Sequence, residues 1–181
     1  MFDLERFVAD CEQALGELPV ERAVRELVAR AVSEPAAVCD ALGDPTRPGL
    51  RAIHRSDRLT VLNVIWAPGM SVMPHDHRMW AVIGIYAGRE DNRFWRRLRD
   101  EAGGKIEAAG ERTLEARTAV PLGRDIIHSV RNPLSSFTGA LHVYGGDFFA
   151  IDRSEWNPQT LLEQKYDVQK ALRMFEAPDA S

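Results

Sequence analysis

Apolar residues at Phe2, Leu4, Phe7, Val8, Cys11 and Leu15 recur three and four apart, which predicts an amphipathic helix over residues 2–15. Pro19 opens a second helix, with Val20, Val24, Leu27, Val28 and Ala31 along one side. A third, short helix fits residues 33–42, with Ser33 as its cap and Pro35 in its first turn. The stretch "GDPTRPG", residues 43–49, breaks the helical period with two prolines and two glycines and sets a boundary near residue 45. Beyond it come short β-rich runs between turn residues: "RLTVLNVIWA", "WAVIGIYAG", "NRFWRRLR", "RTAVPLG", "IIHSVRN" and "GALHVYGG". Runs of this kind about ten residues apart predict an all-β sandwich or barrel. From about residue 157 the pattern turns helical again in "PQTLLEQKYDVQKALRMF". The expected organisation is an N-terminal helical extension over 1–45 that packs on the barrel, a barrel over 46–156, and a C-terminal helix and tail over 157–181.

Composition narrows the function classes. With 45% hydrophobic and 28% charged residues, the 181-residue chain is that of an ordinary globular domain, neither disordered nor fibrous. A net charge of −4 argues against nucleic acid and against an anionic membrane surface as partners, leaving small-molecule chemistry. Cys11 and Cys39 are too few for a disulfide framework and are expected as reduced thiols in a cytoplasmic setting. Neither a signal peptide at the start nor a window of some 18 apolar residues is found. "RFWRRLR", residues 93–99, mixes arginines with aromatics, but as a strand it puts Arg93, Trp95, Arg97 and Arg99 on one face. Acids at Glu90, Asp91, Asp100 and Glu101 flank it, so a solvated or salt-bridged edge strand is expected rather than a nucleic-acid surface.

The histidines change the picture. "MPHDHRMWAV", residues 73–82, holds His75 and His77 two apart, so on a strand both rings share one face while Asp76 takes the other. "PLGRDIIHSVRN" brings His128 just after a turn, a third candidate ligand from a neighbouring strand. Burying such rings without partners costs about 1–3 kcal/mol each, so a shared metal is the economical explanation. His142 lies in "GALHVYGG" on one strand face with Ala140 and Tyr144. His54, alone in "RAIHRSD", reads as a satisfied core residue, and Trp80 as core or pocket wall.

Gly69, His75, His77 and Gly88 match the first cupin motif, G-x5-H-x-H-x3-E-x6-G, except that Ala81 stands where the motif has glutamate. Pro121, Gly123, His128 and Asn132 approximate the second, P-x-G-x2-H-x3-N, with two extra residues before the histidine. The chain over residues 50–155 thus resembles the thiol dioxygenases of the cysteine dioxygenase type I family, whose iron is held by three histidines and no carboxylate. "HDHRMWAVIGIYAG" and "HVYGG" are more similar to the bacterial mercapto-acid dioxygenase branch than to true cysteine dioxygenases.

The resemblance implies a cupin double-stranded β-helix, a small jelly-roll barrel, with the helices at either end. It implies Fe(II) on His75, His77 and His128, with Tyr144 and His142 as catalytic residues. It also implies Arg51 or Arg153 as the carboxylate-binding residue; Arg51 fits if a two-residue deletion in the turn is allowed. The family's Ser-His-Tyr chain is broken here by Ala140, and Val82 stands at the family's cross-linking cysteine. The implied reaction oxidises the thiol of a small mercapto-carboxylic acid (3-mercaptopropionate, mercaptosuccinate or a cysteine-like substrate) to a sulfinate with O2. Two alternatives stand beside it. One is a non-oxidative metal-binding cupin, either an isomerase or hydrolase or a small-ligand binding protein; the other is a dioxygenase acting on a non-thiol substrate.

Overall fold

A computed structural model describes residues 1–99 and 103–176. Three helices come first, α1 (Leu4–Ala14), α2 (Val20–Val32) and α3 (Pro35–Leu42). Asp3 caps α1 by accepting from the Arg6 amide at 3.0 Å. Pro35 starts α3, whose cap is Glu34 rather than Ser33. Ser33 instead ends α2, where its hydroxyl donates back to the Arg30 carbonyl at 2.7 Å and is no longer free to cap.

Eleven strands follow: β1 (Gly49–Arg55), β2 (Thr60–Trp66), β3 (Ser71–Asp76), β4 (Ala81–Ala87), β5 (Arg89–Arg97), β6 (Ile106–Glu115), β7 (Ala119–Leu122), β8 (Ile127–Arg131), β9 (Thr138–Tyr144), β10 (Ser154–Trp156) and β11 (Glu163–Lys165). A final helix, α4, spans Val168–Phe175. The strands make two antiparallel sheets, ordered β1-β2-β9-β4-β7 and β11-β10-β3-β8-β5-β6. Their pairing is nested: β5 pairs β6, β4 pairs β7, β3 pairs β8 and β2 pairs β9. From β2 to β5 and from β6 to β10 successive strands alternate between the sheets, so one long antiparallel hairpin, turning at β5–β6, is wound into a double-stranded β-helix.

The winding explains the apolar pattern. In β4, Ala81, Ile83 and Ile85 enter the core between the sheets, while Val82 and Tyr86 pack outward under the helices with Val24, Val28 and Val32 of α2. A strand buried on both faces reads as an unbroken apolar run. Gly84 lets α2 come this close, for a Cβ there would lie 2.3 Å from a Val28 methyl carbon.

Four strands escaped the sequence reading. β6 is almost wholly exposed and polar, and β1 carries two arginines and a histidine in a half-exposed pattern. β10 and β11 are three residues each, too short to show a period. The expected C-terminal helix from residue 157 begins only at Val168. Asn157 nucleates a tight turn, accepting from the amides of Gln159 and Thr160, and the chain then pairs with β10 before Asp167 caps α4. The tail from residue 177 lies outside the described residues.

The arginine-rich segment is salt-bridged, as expected, but it is not an edge strand. β5 is interior, between β8 and β6, and its arginines pair with acids across the fold: Arg93 with Glu111, Arg96 with Glu107, Arg97 with Glu163. Glu90 is not a surface acid at all but fully buried, whereas Asp100 and Glu101 lie outside the described residues. His54 is no core residue either; it sits half-buried between β1 and α1, 3.4 Å from the Glu12 carboxylate.

Candidate metal centre

His75 and His128 face one another as direct cross-strand partners of β3 and β8. Regular alternation from Val72, a core residue, would turn His75 outward. A bulge between Val72 and His75 adds one residue to β3 and aims the ring inward instead. His77 follows just past the strand end, ahead of Arg78, whose φ of 55° begins the turn. All three rings are buried and their Nε2 atoms converge, His77 to His75 at 3.2 Å and His77 to His128 at 3.3 Å.

The far sides of two rings are tied off. His75 Nδ1 is 2.9 Å from the Met73 carbonyl, and His128 Nδ1 is 2.8 Å from Asn92 Oδ1. Each acceptor holds the proton on Nδ1 and leaves Nε2 a bare lone pair, the arrangement a metal requires. Three mutually facing lone pairs repel unless a cation lies among them, so the residues fit a metal ion. Burial first, and then neighbouring positive charge, depresses all three rings, His75 to about 4 and the other two well below the ordinary histidine range.

A pH dependence follows from that depression. The unfolded chain takes up these protons as the pH falls through about 6.5, while the folded chain resists them until about 4 at His75. Between those values the unfolded state binds more protons, so stability drops as the pH drops. Metal-stripped protein should therefore melt at progressively lower temperature from pH 6.5 to 4.5, and a flat profile would contradict the burial of three neutral rings.

Arg153 is the most unusual residue near the trio. Only 4% of it is exposed, and none of its Nε, Nη1 and Nη2 atoms makes a hydrogen bond of good geometry among the described residues. The guanidinium lies between two rings, 4.0 Å from the centroid of Phe148 and 3.8 Å from that of Tyr166. Burial pulls its pKa down from the ordinary value, and its charge in turn lowers all three histidines. Asp76, buried on the opposite side of β3 from the imidazoles, accepts from the Ser154 amide at 2.8 Å and so pins the backbone next to Arg153.

Tyr144 packs against His77 at 5.1 Å between ring centroids, and its hydroxyl is 2.8 Å from His142 Nδ1. Burial pushes the Tyr144 hydroxyl pKa up. Arg51, by contrast, is not brought to the site. It pairs with Asn63, whose side chain accepts from Tyr86 on the helix-covered side of the sheet, while its neighbours Leu50 and Ala52 pair with the core residues Val64 and Leu62. Strand parity alone puts Arg51 on the outer, exposed face.

No family model matches the chain. Solved structures of similar outline include an RmlC-like cupin family protein with a double-stranded β-helix fold from Methanocaldococcus jannaschii, 9% identical over 55% of this chain and 80% of that one, TM-score 0.43. Another is a Bacillus halodurans protein, 17% identical over 56% of this chain and 72% of that one, TM-score 0.47. Oxalate decarboxylase from Bacillus subtilis is 15% identical over 57% of this chain and 27% of that one, TM-score 0.43. At these values the likenesses say nothing of substrate or metal, and the architecture rests on the nested strand pairing. This is a double-stranded β-helix with three histidines placed to hold a metal ion.

Sequence reasoning missed Asn92, Glu90, Phe148 and Tyr166, which all surround the centre. Asn92 and Glu90 fall in a segment dominated by arginines, and Tyr166 in one that reads as helix, so no local signal marked them. No helix among the described residues is long and apolar enough to cross a membrane.

Proposed function

We propose that this protein is an iron(II)-dependent dioxygenase that oxidises the thiol of a small mercapto-carboxylic acid to a sulfinate with O2. The observation that carries the reading is Arg153, a buried guanidinium with no well-formed hydrogen bond among the described residues, beside three converging imidazoles. A cation kept dry at such a site needs an anion, and a planar carboxylate suits its fork. Phe148 and Tyr166 hold the guanidinium flat and exclude water from around it.

His75, His77 and His128 would hold the ion, and three neutral ligands leave its charge whole for an anionic thiolate. Iron(II) held there would supply the redox chemistry for joining dioxygen to a thiol sulfur. The protein's own share is placement: Arg153 takes the carboxylate, and Tyr144 offers its hydroxyl beside His77. The reaction balances as one thiol plus one O2 giving one sulfinic acid, and places the protein in sulfur metabolism. Free Cys11 and Cys39 agree with a reducing, cytoplasmic setting.

Protein loaded anaerobically with iron(II) should consume O2 with 3-mercaptopropionate, mercaptosuccinate or cysteine and yield a sulfinate carrying two atoms of oxygen-18 from labelled O2. Cysteamine, which has the thiol without the carboxylate, should be a poor substrate. Oxygen uptake with none of the panel would remove the thiol reading in favour of a non-oxidative metal cupin or a non-thiol dioxygenase.

A further inference from the structure

Glu90, the second residue of β5, is fully buried, and its Oε2 has no hydrogen-bond partner among the described residues. Its Oε1 accepts from Trp66 Nε1 at 2.6 Å and lies 3.6 Å from His142 Nε2, which is itself buried with no hydrogen bond among the described residues. On the other side of the same ring, Nδ1 is 2.8 Å from the Tyr144 hydroxyl. Ala140, two residues before His142 on the same strand face, offers only a methyl and competes for neither nitrogen.

A neutral imidazole carries one proton, and the two placements differ here. With the proton on Nδ1, the bare Nε2 lone pair would face a carboxylate oxygen in a dry site, and the Tyr144 proton would lose its acceptor. With the proton on Nε2, the ring N–H faces the Glu90 carboxylate 3.6 Å away, longer than a hydrogen bond but favoured by the charge, and Nδ1 accepts from Tyr144. Trp66 keeps the carboxylate from swinging away, so the second placement sets an N–H rather than a lone pair against it and leaves Tyr144 its acceptor, while Glu90 Oε2 stays without a partner among the described residues in both.

We infer that Glu90 is a positioning residue: it fixes His142 as the Nε2-protonated tautomer, so that Tyr144 donates to Nδ1 and leaves only acceptor lone pairs for a ligand beside His77. A ligand held by Tyr144 must then bring its own hydrogen, as a thiol, hydroxyl or ammonium group does. That consequence rests on the function proposed above, whereas the tautomer itself does not.

The tautomer is read directly in metal-free protein labelled with nitrogen-15 histidine, by long-range proton–nitrogen correlation, with His142→Gln assigning the signals. Wild type should show His142 protonated at Nε2 alone, and Glu90→Leu should convert it to a mixture or to the Nδ1 form. In iron-loaded protein, Glu90→Leu should lower kcat about tenfold or more with KM within about threefold, and Glu90→Gln should recover most of the loss. A wild-type Nδ1 tautomer, or a pure Nε2 tautomer surviving in Glu90→Leu, overturns the inference. If Glu90→Leu does not fold, the wild-type spectrum still decides. If no thiol is oxidised but the spectra behave as stated, the tautomer assignment stands and the functional reading falls.

Discussion

His77→Ala should leave the chain folded and unable to hold a metal. Its Nε2 is within 3.3 Å of both partner nitrogens, so its removal takes away the ligand that joins the other two. Two imidazoles from paired strands make a weak site, and the bound ion should fall from about one per chain to a small fraction of that. The double-stranded helix does not depend on the ring, because the core is built from apolar side chains such as Ile83, Val64 and Val130. Wild type given iron(II) at about 100 times its Kd should gain about 2.7 kcal/mol. For a domain of this size that is a rise of roughly 5–10 °C in Tm. The variant should gain nothing, turn over no thiol, and keep its far-ultraviolet circular dichroism. Iron retained at wild-type stoichiometry would remove His77 from the ligand set.

Arg153→Met should impair function without impairing the fold. Transferring a guanidinium into a dry site without a partner costs several kcal/mol, which stacking on Phe148 and Tyr166 offsets by about 2 kcal/mol each. Methionine retains much of the packing and escapes the desolvation cost, so the ligand-free variant should be as stable as wild type or up to about 2 kcal/mol more so. Losing the anion's partner should cut kcat/KM for a carboxylate-bearing thiol about a hundredfold, mostly through KM. Turnover of cysteamine should hardly change, which separates a carboxylate receptor from general damage at the centre. A variant destabilised by more than about 2 kcal/mol would instead mark Arg153 as a structural residue held by its rings.

The strands that line the core were legible because each is an apolar run between turn residues, and β2, β4 and β9 fall where the pattern puts them. β1 and β6 were not, since their residues are set by pairing with neighbours rather than by burial of one face. The C-terminal segment illustrates the same limit. "PQTLLEQKYDVQKAL" has a helical composition, yet its first half is claimed by the edge of a sheet. There Glu155 on β10 accepts from Gln164 and Lys170 and draws both segments together.

The candidate site divides along the same line. The H-x-H spacing and the turn before His128 could be read from the chain, because ligand identity and local alternation are properties of short segments. Whether the rings meet depends on a bulge that re-aims His75 and on the pairing of β3 with β8, which no short segment contains. The two arginines differ in the same way: strand parity puts Arg51 on the outer face opposite Asn63, whereas Arg153 is buried from a loop pinned by Asp76. Glu90, an apparent surface acid beside arginines, reaches His142 only because β5 and β9 lie in facing sheets. Residue chemistry is written locally and can be found locally; which groups share a dry cavity is decided by contacts between residues far apart in the chain, and these exist only once the sheets have closed.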